Sequence, residues 1–316
     1  MISLSNIQVH IPEGRQALES CAQDLSLNRF ETQMFRRFHG LSDFAIADDA
    51  SLSDHLKTPQ DLAKRTGPKP DYTFHCHTIP TITPNGSSPL GACSAGVTAG
   101  VTMAHCAGPL VVLDLLSETL RPGETARILI GEKSFHPKIK MIPNITIMSD
   151  IAVSIDVSLD HGICRRIDSE TCVNGSVALN SGLDDQGGIP AEFEAVYIKT
   201  LTDAVFGVLA RHDMTWSDLA WVFPHNVNVS SWRSFAKMHS LDLNKIYLGN
   251  VSRFGHAFGA DPFLNLEMAR TANEVRPGQR ALLVSVGLGM TANATLIEFS
   301  PPPFPTSKHE DYHAIT

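Results

Sequence analysis

Residues 101–132 read VTMAHCAGPLVVLDLLSETLRPGETARILIGE, and the order of apolar and chain-breaking residues in this stretch decides the fold. "VTMAH" has the character of a strand, "PLVVLDLLSETL" is apolar nearly all round, "RPGE" is a turn, and "ARILIGE" is a second buried strand. A strand, a helix apolar nearly all round and another strand make a βαβ unit, which predicts a parallel sheet with the helix buried against it. Proline is tolerated in the first turn of a helix, where its missing N–H would have had no partner, and breaks a helix interior. Pro109 therefore sets the start of the helix near Ala107, and Cys106 stands where a strand ends and a buried helix begins. Unpaired amides and the helix dipole favour an anion there, and the thiolate is the reactive form of cysteine. Cys93 lies instead in "GACSAGVTAG", residues 91–100, which predicts a close-packed short helix and turn. Buried, inert cysteine is the commoner fate, so position alone singles out Cys106 as the candidate nucleophile.

Outward from this unit, "ISLSNIQVHIP" alternates and predicts a first strand, helical patterns follow around 14–24 and 50–64, and "YTFHCHTI" predicts a buried strand. "IAVSIDVS" closes the first half, and residues 158–190 form a Gly- and Asp-rich polar region. Then come a long helix in "AEFEAVYIKTLTDAVFGVLARH", a strand in "LAWVFPH", a helix near 228–239 and a strand in "KIYLGNVS". A helix near 261–272 and strands in "ALLVSVGLG" and "ATLIEFS" complete the pattern. Two α/β halves of like content, divided near residue 160, suggest a duplicated architecture, and "PPPFPTSKHEDYHAIT" reads as a mobile tail.

The chain has 316 residues, 43% hydrophobic and 18% charged, enough to bury a large core. Its net charge of −8 and lack of long Lys/Arg runs argue against holding nucleic acid through phosphates. There is no apolar run of membrane-spanning length and no secretory pattern in "MISLSNIQVHIPEG", which predicts a cytoplasmic protein. The six cysteines show no Cys-x-x-Cys pair and no disulfide framework. "HCH" at 75–77 puts two imidazoles on one strand face, yet no further ligand stands at metal-binding spacing, and none is expected.

"MAHCAG" with the helix, turn and "ILIGE" after it resembles the nucleophile region of the ketoacyl-ACP synthase III branch of the thiolase superfamily. "VFPHNVN" resembles that family's Pro-His-Gln-Ala-Asn motif, "KIYLGNVSRFGHAFGADPFLNLEMA" its Gly-Asn-x-Ser segment and following helix, and "LLVSVGLGMT" its glycine-rich C-terminal turn. "VHIPEG" and "FRRFHGL" are weaker anchors. The resemblance implies a thiolase fold: an α-β-α-β-α sandwich of two βαβαβ-type halves, 1–160 with the nucleophile and 161–316 with the catalytic histidine. It implies Cys106 as nucleophile, His225 as catalytic histidine within reach of it, and Asn228 as that histidine's supporting asparagine. Arg37 and Arg233 become candidates for substrate binding. Ser230 falls where the family has a basic residue, although Arg233 and Lys237 lie close by. The resemblance further implies acyl-CoA or a phosphopantetheinyl acyl carrier protein as substrate, no bound cofactor or metal, and a homodimer or a pair with a paralogue.

The chain departs from the pattern at the family's catalytic asparagine. An ungapped match places His256 there, while the "GNVS" of Asn250 falls on what reads as the preceding strand. An Asn250 assignment would restore the ordinary triad. Relatives with Gly-His and a downstream Asp, here Asp261, include acyltransferases of antibiotic pathways that act on hydroxyls or amines. Decarboxylative carbon–carbon condensation is the alternative, and a partly degenerate subunit of a hetero-oligomeric synthase a third. On the leading reading Cys106 attacks the thioester, His225 serves as base, and His256 binds or deprotonates the acceptor with Asp261 orienting it. The amides of Cys106 and of the Leu288-Gly289 turn hold the oxyanion. Two blander roles stand beside these: His256 as filler of an asparagine's pocket, and Asp261 as an ordinary helix cap before Pro262.

Overall fold

The computed structural model describes residues 1–47, 50–79, 96–180 and 192–301. Its main sheet has nine strands: β1 Ser3–His10, β2 Tyr72–Cys76, β3 Val97–Val101, β4 Thr125–Ile130, β5 Ala152–Ser158, β6 Cys164–Val173, β7 Trp221–Pro224, β8 Arg280–Gly287 and β9 Thr291–Phe299. They run in the order β7-β8-β9-β6-β1-β5-β4-β2-β3. The ladder has a narrow waist. β1 pairs with β5 from Ser3 to His10 but meets β6 only at Ser3↔Arg165 and Leu4↔Cys164. On either side of the waist, antiparallel strands give way to parallel ones, β4-β2-β3 on one side and β7-β8 on the other. Parallel neighbours need crossover helices, and those helices build the layers.

Helix α2, Gly108–Thr119, touches β2 and β4 of one half and β8 and β9 of the other, and α6, Asp261–Thr271, touches β1, β7 and β8. Both lie between the halves. α1, Leu52–Thr66, covers β1 and β5 on the far side of the first half, and α3, Phe193–Arg211, covers β6 and β9 on the far side of the second. β8 records this sandwich residue by residue: Ala281 and Leu283 face the central helices, while Leu282, Val284 and Val286 face α3 and α4, Val229–Met238. Successive strand side chains point to opposite faces, so a strand apolar at every position must be covered on both. The central cluster joins Leu110 and Leu113 of α2 with Phe263 and Leu264 of α6, between Ile128 and Ile155 on one side and Leu283 and Ile297 on the other. Each such side chain fully removed from water stabilises the fold by about 1.5–3 kcal/mol. This is the layered α/β arrangement that the resemblance implies.

Four local expectations differ. The strand before Cys106 is Val97–Val101 rather than "VTMAH", because Tyr72 to Cys76 pair with Val97 to Val101 and the chain then turns at Thr102, whose carbonyl accepts from the His105 amide. Residues 158–190 contain the ten-residue β6, hidden from hydropathy because its polar side chains are paired. Arg165 meets Glu298, and Arg211 of α3 meets Asp168 and Glu170. "KIYLGNVS" is not a strand: Ile246 makes a single bridge to Val222, and Gly249–Phe254 forms the short helix α5. The helix expected from residue 14 starts at Leu18, after Gly14–Ala17 pairs as a strand with Asp43–Ile46. Cys93 and the tail from residue 302 lie outside the described residues.

Three buried imidazoles give the fold a marked pH dependence. Burial, with a like charge nearby, pushes His55 and His75 down to about 4 and His225 down to about 3. The unfolded chain takes these protons near pH 6.5 and the folded chain refuses them, so stability is present above that pH and lost as pH falls below it. Each imidazole contributes a slope of about 1.4 kcal/mol per pH unit until its folded value is reached. His256 acts in the opposite sense, being held up at about 10, so its contribution is complete below pH 6.5 and lost as pH rises toward 10. Urea midpoints measured from pH 4 to 10 are expected to peak near pH 6.5–7 and to fall more steeply on the acid side. A level acid limb would show that these imidazoles accept protons in place.

Candidate active site

Cys106 sits on a 3-10 turn, His105–Ala107, that runs directly into α2 with Pro109 in the first helical turn. His105 has a φ of 49°, a left-handed conformation rare outside glycine, and this kink turns the chain from sheet into helix at the cysteine. Gly287, at the end of β8, lies so close to Ala104 and His105 that a Cβ would overlap the Ala104 carbonyl. The Ser285 hydroxyl donates to the Cys106 carbonyl at 2.9 Å. The Leu288-Gly289 turn is thereby laid beside the cysteine turn. Met148 and Phe258 pack against Cys106, which is 6% exposed.

His256 is delivered by a different device. Gly255 has a φ of 63°, and a Cβ there would meet the Phe44 ring and the Ile147 carbonyl, so the position before the histidine belongs to glycine. The His256 backbone then bridges to the 147–149 segment, its amide donating to Ile147 and its carbonyl accepting from Ser149. The imidazole Nε2 stands 3.5 Å from Cys106 Sγ, and Nδ1 stands 2.5 Å from Asp261 Oδ2. Asp261 is the first residue of α6, but its carboxylate does not cap that helix. Oδ1 accepts from the Ala257 amide at 2.8 Å and Oδ2 from the Asn226 amide at 2.6 Å, which aims the carboxylate at His256. Cys106, His256 and Asp261 are 6%, 2% and 0% exposed. Burial alone would keep the imidazole neutral; the Asp261 carboxylate first and the charge of Cys106 second outweigh it, and His256 is held well above the ordinary histidine range. A cationic imidazole within reach of sulfur is the partner a thiolate needs.

His225 follows directly on β7, one ring further on, 6.2 Å from the His256 ring and edge-on to it. Its amide and carbonyl are held by Val284 and the Trp232 indole. Its Nε2 lies 3.0 Å from the hydroxyl of Tyr197 on α3, and its Nδ1 is buried with no partner among the described residues. Burial, then the positive charge of His256, keeps it neutral. The hydrogen-bond partner of the sulfur is thus His256, with His225 adjoining it.

The remaining sequence candidates have different surroundings. Asn228 is the cap of α4, accepting from the Ser231 amide and the Ser230 hydroxyl; Ser230 in turn bonds buried His39, which ties this helix start to the segment after Arg37. Asn250 donates to Asn265, which also donates to Asn226 and to the Pro224 carbonyl; it belongs to a buried amide network behind the histidines rather than to the cysteine. Arg37 and Arg233 are exposed and lie outside the buried cluster. Leu288 and Gly289 are half-buried at the turn beside His105. The stacked His75 and His77 rings each bond a backbone carbonyl, and no group of three or more potential metal ligands occurs among the described residues. Tyr197 was not singled out by sequence. It sits in a long amphipathic helix whose other apolar residues are core, and nothing in its spacing distinguishes it.

Residues 209–299 match the family model described as 3-oxoacyl-[acyl-carrier-protein (ACP)] synthase III C terminal. Over 330 aligned residues the chain is 22% identical to the beta-ketoacyl-[acyl-carrier-protein] synthase III of Clostridium novyi, spanning 95% of this chain and 99% of that one. It is 25% identical to the enzyme of the same name from Nitratidesulfovibrio vulgaris, over 70% and 76% of the two chains. Among solved structures, the acyltransferase ChlB3 superposes with a TM-score of 0.80 at 17% identity, covering 95% of this chain and 98% of that one. The 3-oxoacyl-(acyl carrier protein) synthase III of Pseudomonas aeruginosa gives 0.76 at 16%, with 95% and 98% covered. OleA of Xanthomonas campestris gives 0.78 at 12%, with 94% and 98% covered. These likenesses establish a thiolase-type fold and a chain similar to synthase III along nearly its whole length. The relatives so named are synthases and acyltransferases, which are enzymes. No described helix is long and apolar enough to cross a membrane.

Proposed function

We propose that the protein is an acyltransferase of specialised metabolism, working in the cytoplasm, that loads an acyl group from acyl-CoA or an acyl carrier protein onto Cys106 and passes it to a hydroxyl, amine or carbon acceptor. The observation that carries the reading is the chain of contacts from Cys106 Sγ through the His256 imidazole to the Asp261 carboxylate. Nucleophile, base and orienting acid in hydrogen-bond sequence are what acyl transfer requires. The relatives' names support the same chemistry. On this reading His256 takes the place that the family gives to asparagine, residues 1–160 furnish the nucleophile, and residues 161–316 furnish both histidines. The protein acts as a homodimer or with a paralogue, and Arg37 and Arg233 meet the donor.

In the first half-reaction the Cys106 thiolate attacks the thioester carbon. The carbon–sulfur bond to the donor breaks, and the departing thiolate takes the proton of the His256 imidazolium. His256 is then neutral and Cys106 is acylated. In the second half-reaction His256 takes the acceptor's proton as the acceptor attacks the acyl carbon, and Cys106 leaves as thiolate beside a restored imidazolium. Asp261 holds Nδ1–H and stabilises the cation in both halves. The amides at Cys106 and Leu288 receive the charge on the acyl oxygen.

Condensation with a malonyl thioester is the second reading, supported by the relatives named as synthases. It would need the two histidines to stabilise an enolate that the family stabilises with histidine and asparagine. Incubation with isotope-labelled acyl-CoAs, followed by intact-protein and peptide mass spectrometry, is expected to place one acyl group on Cys106. Acylation at Cys93, or none with any thioester, would overturn the assignment. Release of labelled carbon dioxide from malonyl-ACP would favour condensation over transfer.

A further inference from the structure

The reaction just described leaves Tyr197 without a task. The phenol enters the cluster from α3, where Phe193, one turn earlier, stacks against its ring at 6.3 Å. Its hydroxyl stands 3.0 Å from His225 Nε2, and the two rings meet edge to face. Which of the two donates follows from the other nitrogen. His225 Nδ1 is buried and has no partner among the described residues. A neutral imidazole has one N–H and one lone pair. Leaving a buried N–H without an acceptor costs more than leaving a lone pair unused. The proton therefore sits on Nε2, which donates to the Tyr197 oxygen, and the tyrosine's own O–H proton remains to be given elsewhere. Among the described residues no acceptor receives it.

We infer that Tyr197 is a catalytic residue whose hydroxyl, backed by the Nε2–H of His225, donates a hydrogen bond to an oxygen of the acyl acceptor in the second half-reaction. The inference rests on the proposed two-step transfer and adds to it the group that meets the acceptor. Two features keep the tyrosine in the donating form. Burial, which persists in the acyl-enzyme after the charges of Cys106 and His256 are gone, pushes its phenol up, and the same burial keeps His225 from becoming a cation that would drive the proton off Oη. The acceptor suited to this arm presents an oxygen lone pair, as a hydroxyl, a carbonyl or water does. An ammonium group, which has no lone pair, is not suited.

The test has two arms. In the first, imidazole ¹⁵N shifts of the labelled protein at neutral pH are expected to show His225 neutral and protonated at Nε2; protonation at Nδ1 would overturn the inference whatever the enzyme does. In the second, Tyr197→Phe and the parent protein are acylated with acetyl-CoA, and loading and discharge of the acetyl-enzyme are timed separately, with water and then n-propanol as the oxygen acceptor. Loading is expected to stay within about 3-fold of the parent while discharge slows about 100-fold, the loss typical of one removed transition-state donor. Equal slowing of both steps would assign Tyr197 a packing role, and unchanged discharge would assign it none. If acetyl-CoA and longer acyl-CoAs load neither protein, the proposed transfer fails, and the tautomer measurement still judges the tyrosine.

Discussion

Replacing Cys106 with alanine is expected to abolish acyl-enzyme formation and to lower transfer by about 10⁴-fold or more, as removal of a covalent nucleophile does elsewhere. The fold should survive, because the side chain is small and only the sulfur is lost, at a cost of about 1 kcal/mol. The same residue should dominate alkylation of the native protein by iodoacetamide at neutral pH. Burial pushes Cys21 up to about 11 and Cys164 up to about 12, and pushes Cys76 up as well. Cys172 is raised by burial and by the nearby Glu170 and Asp203 carboxylates. These thiols are slow to ionise; Cys106, itself buried, is alone among the described cysteines in having a cationic imidazole at its sulfur. Peptide mapping after brief alkylation checks this. Modification spread evenly over Cys21, Cys76 and Cys106, or an alanine variant that still transfers acyl groups, would remove Cys106 from the chemistry.

The architecture was legible wherever burial writes itself into hydropathy. The helix at 110–116, apolar but for Asp114 and bounded by Pro109 and a Gly turn, reads as one packed against a sheet, and it lies between two layers. Strand β6 escaped notice because Arg165, Arg166, Asp168 and Glu170 make it look like a loop. Its stability comes from partners on β9, α2 and α3 that no local window contains. The site divides in the same way. Pro109 sets where the cysteine's helix starts, a local matter of backbone sterics, whereas the kink at Gly255 that delivers His256 is visible only in the folded chain. Which histidine reaches the sulfur depends on how residues 147–149 pin His256, a contact across more than a hundred residues that spacing does not encode. For the same reason Asp261 read as a cap: Asp-Pro at a helix start has that appearance, and only the folded chain turns its carboxylate back onto Ala257, Asn226 and His256. Tyr197 carries no local mark at all, since its role depends on β7 bringing His225 under α3.

Asp261→Asn separates the orienting charge from the shape that carries it. The substitution keeps the volume and one oxygen, so the side chain can still accept from one of the Ala257 and Asn226 amides. Its NH₂ then faces the remaining donor, and the loss of a buried bond should destabilise the protein by about 1–3 kcal/mol. The catalytic loss should be far larger. With the carboxylate charge gone, burial governs His256, its proton affinity falls, and the resting cation beside the sulfur is lost. The neutral ring is also free to take the wrong tautomer, as its Nδ1 no longer faces an anion. Transfer is expected to fall about 10³- to 10⁴-fold, the loss seen when a triad aspartate becomes asparagine in other enzymes. The pH profile gives a second, independent signature. In the parent protein the His256 cation persists until pH approaches about 10, so the alkaline limb of Cys106 acylation, which needs that cation to protonate the leaving thiolate, lies near there. Without Asp261 the limb should move to lower pH. A variant with the parent's alkaline limb and a loss of less than 10-fold would show that the carboxylate holds the backbone of the turn and takes no part in the reaction.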